Sequence, residues 1–281
     1  MSSPGMSTPS QLSPFVQLRL GDQAPAIFIA HGLAGTVQFL ELARNIDTEH
    51  AIYGIQAKGI DGLEPPYDAV GDMADYYLSA LEQLNPHDPY ILVGYSFGGL
   101  VALEMAQRLT AKGKRIALLV LLDTFPHPRF LPTPWRLRLF AKRMKVHAQH
   151  MRGVSPVGAF NYLMQGIMRR LHIAKALHET AIAEGANLSS KEAALLLVNQ
   201  KAYFAYASYR PKYYPGKINF VATEEKTFFP GDPREIWARL SASFEVEVVP
   251  GNHLNIVTTE YQTLASVITR YVKAVPAVAA P

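Results

Sequence analysis

The sequence predicts an α/β protein with a mostly parallel central sheet and helices on both of its faces. Three observations carry this. Short, continuously apolar runs recur along the chain, as expected of strands buried on both faces. Segments with apolar residues three and four apart lie between them, so strands alternate with helices. The alternation stops after residue 123 and resumes near 218, so one α/β core is interrupted by a helical insertion, about 125–207.

The elements follow in order. Ala26–Ala30 (AIFIA) is an apolar run that ends at His31-Gly32, a strand followed by a turn. Phe39–Arg44 reads as helical, and Ala51–Gln56 (AIYGIQ) as a second strand. Val70–Leu84 carries Met73, Tyr77, Leu81 and Leu84 on one face of an amphipathic helix. Pro89–Gly94 is a third strand, Gly98–Lys112 a helix, and Ile116–Leu122 a fourth strand. Beyond the insertion come the strand Ile218–Thr223, a helix near Pro233–Leu240, the strand Phe244–Val249 and a last helix, Glu260–Val272. Residues 15–273 are expected to form the domain, between flexible tails at 1–14 and 274–281.

Composition narrows the function classes. At 281 residues the chain can bury a large core as one domain with an insertion. It contains no cysteine, which excludes disulfides, thiolate metal sites and a cysteine nucleophile. No apolar run approaches the ~20 residues of a membrane-spanning helix. The Ser/Pro-rich start lacks the charge and apolar stretch of a signal peptide, so a cytoplasmic protein is expected.

Residues 94–99 read Gly-Tyr-Ser-Phe-Gly-Gly. A bare GxSxG is weak evidence, but this one follows the strand PYILV directly and opens a helix. That strand–turn–helix setting is what an exposed serine nucleophile at a sheet edge requires, and it makes the α/β-hydrolase fold the expected architecture. Small residues at 94 and 98 let the strand and helix approach each other. Ser96 is therefore the candidate nucleophile.

A serine hydroxyl needs a base within hydrogen-bond reach and an acid that orients the base. In this fold the chain order is serine, acid, histidine. His253, in Pro-Gly-Asn-His after the strand FEVEVV, is the candidate base. The acid has two candidates: Asp123, directly after IALLVLL, and the pair Glu224-Glu225 after INFVAT, with Asp123 ahead. The oxyanion hole is expected from two backbone N–H groups, one of Phe97 and one of Leu33, with Ala34 as alternative to the latter. His31 is read as a structural residue beneath that hole.

With these residues in place the chain resembles the thioesterase domains of nonribosomal peptide synthetases, polyketide synthases and animal fatty acid synthase. The matching pieces are IFIAHGLAG (27–35), YGIQAKG (53–59), PYILVGYSFGGLVALEMAQRL (89–109), LLDTFPH (121–127), YRPKYYPGKINF (209–220) and VVPGNHLNIV (248–257). The resemblance implies that Asp123 is the acid and that the insertion is a lid over an acyl channel. It implies an acyl chain on phosphopantetheine, carried by an acyl or peptidyl carrier protein or by coenzyme A, and no metal or other cofactor. A carboxylesterase or lipase is the alternative activity. The chain departs from the family in the turn His-Gly-Leu-Ala-Gly, where proline after the histidine is frequent, and at Asn252, where aspartate is. Met1 and its tail favour a free-standing enzyme over an excised domain.

The insertion is basic. From Thr124 to His178 there are ten Lys/Arg and no Asp/Glu, so the chain's +4 leaves an acidic excess of six elsewhere. Arg136, Arg138, Lys142 and Arg143 interleave with Trp135, Leu139, Phe140 and Met144 at near-helical spacing. They are candidate docking residues for an acidic carrier protein or the phosphates of coenzyme A. Two other readings stay open: peripheral contact with an anionic membrane, and a lid whose charges are merely solvated. Nucleic acid is not expected as a partner, because no recognition motif accompanies the charge.

Overall fold

The structure is a computed structural model that describes residues 13–32, 35–84, 88–151, 190–226 and 231–276, with the side chains of all of these except 142, 143 and 145–151. Seven strands form one sheet: β1 (Phe15–Arg19), β2 (Gln23–Ala30), β3 (His50–Ile55), β4 (Tyr90–Tyr95), β5 (Ile116–Leu122), β6 (Tyr214–Glu225) and β7 (Ser241–Asn252). Their spatial order is β1-β3-β2-β4-β5-β6-β7. All neighbours pair in parallel except β1, which runs antiparallel to β3. The helices are α1 (Leu40–Asn45), α2 (Val70–Leu84), α3 (Phe97–Ala111), α4 (Thr133–Met151), α5 (Ser190–Ser208), α6 (Arg234–Trp237) and α7 (Tyr261–Lys273).

The parallel strands are apolar on both faces because both faces are covered. Successive side chains of a strand point to opposite sides. In β2, Phe28 and Ala30 join the layer with α2 and α3, while Ile27 and Ile29 join the layer with α1 and α7. α7 is the clearest amphipathic case, burying Leu264, Ala265, Val267, Ile268 and Val272. β7, at the sheet edge, buries only Ser241 and Val249, which is why only its central part stands out in the sequence. β1 is absent from the sequence reading for the same reason: it is a five-residue edge strand that buries only Leu18 fully.

The order reverses between β2 and β4, since the chain first adds β3 on one side and then β4 to β7 on the other. Sites in open α/β sheets form at such a switch point, beyond the carboxyl ends of the strands. The ladder's last bonds place two residues there. Ser96 donates its N–H to Leu122 O at 2.9 Å, and Asp123 donates its own to Val221 O at 2.8 Å.

Two helices of the interrupting segment pack onto this edge. α4 is anchored by Trp135, fully buried, whose ring lies 5.9 Å from that of Phe125 and whose indole N–H donates to Glu235. α5 buries small residues, Ala194, Val198, Ala202 and Ala205, and exposes Leu196, Tyr203 and Phe204. Its end is tied to α3 by a polar cluster. Tyr209 Oη donates to Glu104 Oε2 at 2.8 Å, and Arg108 Nε donates to Glu104 Oε1 at 2.8 Å and also engages Asp75. Among the described residues no helix is long and apolar enough to cross a membrane.

Tyr209→Phe removes one of two donors from a carboxylate whose side chain is only 12% exposed. It is expected to lower unfolding free energy by about 1.5–3 kcal/mol, read from urea midpoints at unchanged m-value.

Candidate active site

The turn between β4 and α3 is held in a conformation that ordinary residues avoid: Ser96 has φ 54° and ψ −120°. Close approach forces this. A Cβ on Gly94 would lie 2.4 Å from Gly99 Cα, and one on Gly98 would lie 2.3 Å from both Ala30 O and His31 O. Only glycine permits such contacts, and the result lifts the Ser96 side chain above the sheet at the start of α3.

Three loops then converge. Ser96 Oγ lies 2.8 Å from His253 Nε2, and His253 Nδ1 lies 2.7 Å from Asp123 Oδ2. Because a carboxylate only accepts, Nδ1 carries the proton, and Nε2 is left to accept from the serine hydroxyl. Asp123 is buried and also has positive φ, 43°, which turns its carboxylate back over the sheet edge. The next residue pins this turn: Trp237 donates its indole N–H to Thr124 O at 3.0 Å, and Thr124 Oγ1 donates to Leu122 O at 3.2 Å. The histidine loop is braced from within. Asn255 Oδ1 accepts from Asn252 N at 2.6 Å, and Asn252 Oδ1 accepts from Leu254 N at 3.0 Å. Of the two sequence candidates for the acid, Asp123 is the one at His253 Nδ1, while Glu225 Oε2 accepts from Asn252 Nδ2 at 3.3 Å.

Phe97 begins α3, so its N–H belongs to the first turn, whose donors have no acceptor within the helix. Leu33 and Ala34, the other oxyanion candidates, lie outside the described residues. His31 is buried, and burial holds its pKa below the usual imidazole value. Its Nδ1 donates to Gly32 O at 2.6 Å, a structural contact at the base of the turn.

An apolar crevice runs from this point, lined by Ala30, His31, Phe97 and Val101 below, Met73 and Tyr77 on one side, and Val198 and Ala202 of α5 above. Lys58 also lines it, with Nζ 3.4 Å from Glu64 and 4.8 Å from the centre of the Tyr67 ring. The basic residues of α4 are divided. Arg138 Nη1 sits 3.8 Å from Glu235 Oε1, whereas Arg136 lines a separate surface groove with Arg129, Leu137 and Phe140. The side chains of Lys142 and Arg143 lie outside the described set. Tyr95 went unnoticed in the sequence although it touches His253; its one signal there is its place beside the nucleophile.

A family model described as Thioesterase domain matches residues 25–272. The chain belongs to the thioesterase domain family.

This family of hydrolases lies within the α/β-hydrolase superfamily. The thioesterase domain is 37% identical over 127 residues to the Dimodular nonribosomal peptide synthase of Bacillus subtilis (strain 168), a match of 45% of this chain and 5% of that protein. It is 32% identical over 119 residues to the Atromentin synthetase of Tapinella panuoides, covering 42% of this chain and 12% of that one. The matched stretch is thus a small part of these curated relatives' length. Among solved structures, the type II thioesterase BorB from the borrelidin biosynthetic cluster aligns with TM-score 0.63 at 16% identity, over 94% of this chain and 99% of that one. The NocB thioesterase domain, in covalent complex with a fluorophosphonate nocardicin G analog, aligns with TM-score 0.59 at 21% identity, over 89% and 95%. These likenesses are of fold.

Asparagine tolerates positive φ, so Asp123→Asn should fold normally yet lose about ten-thousandfold in turnover, because the amide no longer enforces the Nδ1–H tautomer. Glu225→Gln should stay within about threefold of wild type. Steady-state ester or thioester hydrolysis by the two variants distinguishes the acid candidates.

Proposed function

We propose that the chain cleaves acyl thioesters through an acyl-serine intermediate on Ser96, with His253 as general base and Asp123 as the group that orients it. One observation carries the reading: the continuous hydrogen-bonded line from Ser96 Oγ through His253 to Asp123, in a member of the thioesterase domain family. His253 Nε2 takes the serine proton as Oγ bonds to the thioester carbonyl carbon. The Phe97 N–H, with a second donor from the turn at Leu33, holds the oxyanion. The C–S bond breaks, and His253 returns the proton to the leaving sulfur. Water, or a nucleophile within the acyl chain, then gives its proton to His253, attacks the acyl-serine carbon and releases a free acid or a ring, while Ser96 recovers the proton.

The acyl donor in this reading is phosphopantetheine on a carrier protein, or coenzyme A. The relatives named as nonribosomal peptide synthases support it. The apolar lining of the crevice beside Phe97 matches the chemistry of an acyl chain, and the interruption at about 125–207 acts as its lid, with Val198 and Ala202 of α5 on the crevice. Arg136, with Arg129 beside it, faces solvent on that lid, where an acidic carrier or a phosphate would approach.

Intact mass spectrometry after incubation with a panel of acyl-CoA and acyl-N-acetylcysteamine thioesters tests this. The wild type should gain the mass of one acyl group. Ser96→Ala should gain none and lose at least about a thousandfold in turnover while keeping its unfolding midpoint. Wild-type-like turnover by Ser96→Ala contradicts the reading.

A further inference from the structure

Tyr95, the variable residue of the Gly-Tyr-Ser-Phe-Gly motif, ends β4 and is 7% exposed. Its hydroxyl donates to the backbone carbonyl of His253. Its ring also lies against the imidazole of the same residue, with centroids 5.3 Å apart and planes 29° from parallel. Behind it, the edge of Phe39 meets the phenol ring at 6.2 Å and 88°, so Tyr95 is wedged between the start of α1 and the histidine loop. Burial, together with the charge of Asp123, pushes the phenol up to about 12, so it is a neutral donor at neutral pH.

The topology explains why a brace is needed here. His253 follows β7, and β5 and β6 stand between β7 and β4 in the sheet. The loop must reach back across two strands to meet Ser96. Asp123 holds the imidazole at Nδ1. We propose that Tyr95 is a positioning residue for His253: its hydroxyl sets the height of the loop through the carbonyl, and its ring face sets the plane of the imidazole, so that Nε2 meets Ser96 Oγ and the imidazolium formed during attack lies on an aromatic face. The proposal rests on the reading of Ser96 and His253 as nucleophile and base. Among the described residues, the ionisable groups at the loop include Asp123 at the end of β5, Glu225 at the end of β6, acting through Asn252, and Glu260 before α7, beside Gly251.

Tyr95→Phe keeps the ring and loses the hydroxyl, and Tyr95→Leu loses both. Hydrolysis of an acyl-N-acetylcysteamine thioester by each, followed from pH 5 to 9 beside Ser96→Ala, tests the proposal. Tyr95→Phe should lose about tenfold in kcat with KM within about twofold, and its acid limb in kcat/KM should stay in place. Tyr95→Leu should lose about a hundredfold, and its acid limb should move down by about half a pH unit as the imidazolium loses its aromatic face. If the leucine variant does not fold, Tyr95→Phe decides alone through its kcat-against-KM split. Wild-type kcat in Tyr95→Phe, or losses that track only the unfolded fraction, overturn the positioning role while an inactive Ser96→Ala leaves the catalytic reading standing. Full turnover by Ser96→Ala overturns both.

Discussion

The feature on which the rest depends is the contact between the end of β4 and the start of α3, where two backbones meet at distances that leave no room for a Cβ. This contact puts Ser96 into a strained conformation and raises it above the sheet. Strain of this kind persists only where the surroundings over-determine it. β4 is buried along its whole length, and α3 buries ten of its fifteen residues, so neither can relax away from the other. The same close approach brings Gly98 onto the carbonyls of Ala30 and His31, which locks the end of β2 against the nucleophile turn. Ser96, the first turn of α3 and the end of β2 are thereby packed as one unit.

In the proposed mechanism this unit needs a base, and the sheet brings His253 to it from a distance. Parallel pairing sets Ser96 and Asp123 at the ends of adjacent strands, where the ladder itself fixes their separation. The histidine comes from two strands further on, so its placement depends on side-chain hydrogen bonds rather than on the ladder. Asp123, Asn252 and Asn255 provide them, and Tyr95 adds one hydrogen bond and one ring contact from the strand that leads to Ser96. Each is individually modest, on the order of 1 kcal/mol. Together they hold a ring whose displacement by an ångström would break the contact between Nε2 and the Ser96 hydroxyl.

The central sheet was legible because burial on both faces writes a strand as an unbroken apolar run; β5 and α2 were read to the residue. Ser96 and Asp123 could be singled out because each closely follows such a run, and His253 because it stands in Pro-Gly-Asn-His just after the last strand; strand ends are where side chains project from the sheet edge. Edge strands were harder. β1 and the ends of β7 face solvent, so their composition says little, and their existence follows from pairing partners remote in sequence. α5 misleads in another way. It turns alanines inward and leaves large apolar residues outside, so its apolar pattern does not reveal which face meets the core. Tyr95 was invisible for a simpler reason: nothing in a linear sequence indicates that the neighbour of one catalytic candidate lies against another.

In the proposed mechanism the strained turn, His253 and Asp123 act together to make Ser96 a nucleophile. Titration with a fluorophosphonate, followed by peptide mapping, tests it most directly. The account predicts one equivalent of label per folded chain, all of it on the peptide that contains Ser96, with the rate of labelling falling by about a thousandfold in His253→Ala. A folded wild-type protein that takes up no label, or that carries it on another residue, would contradict the account.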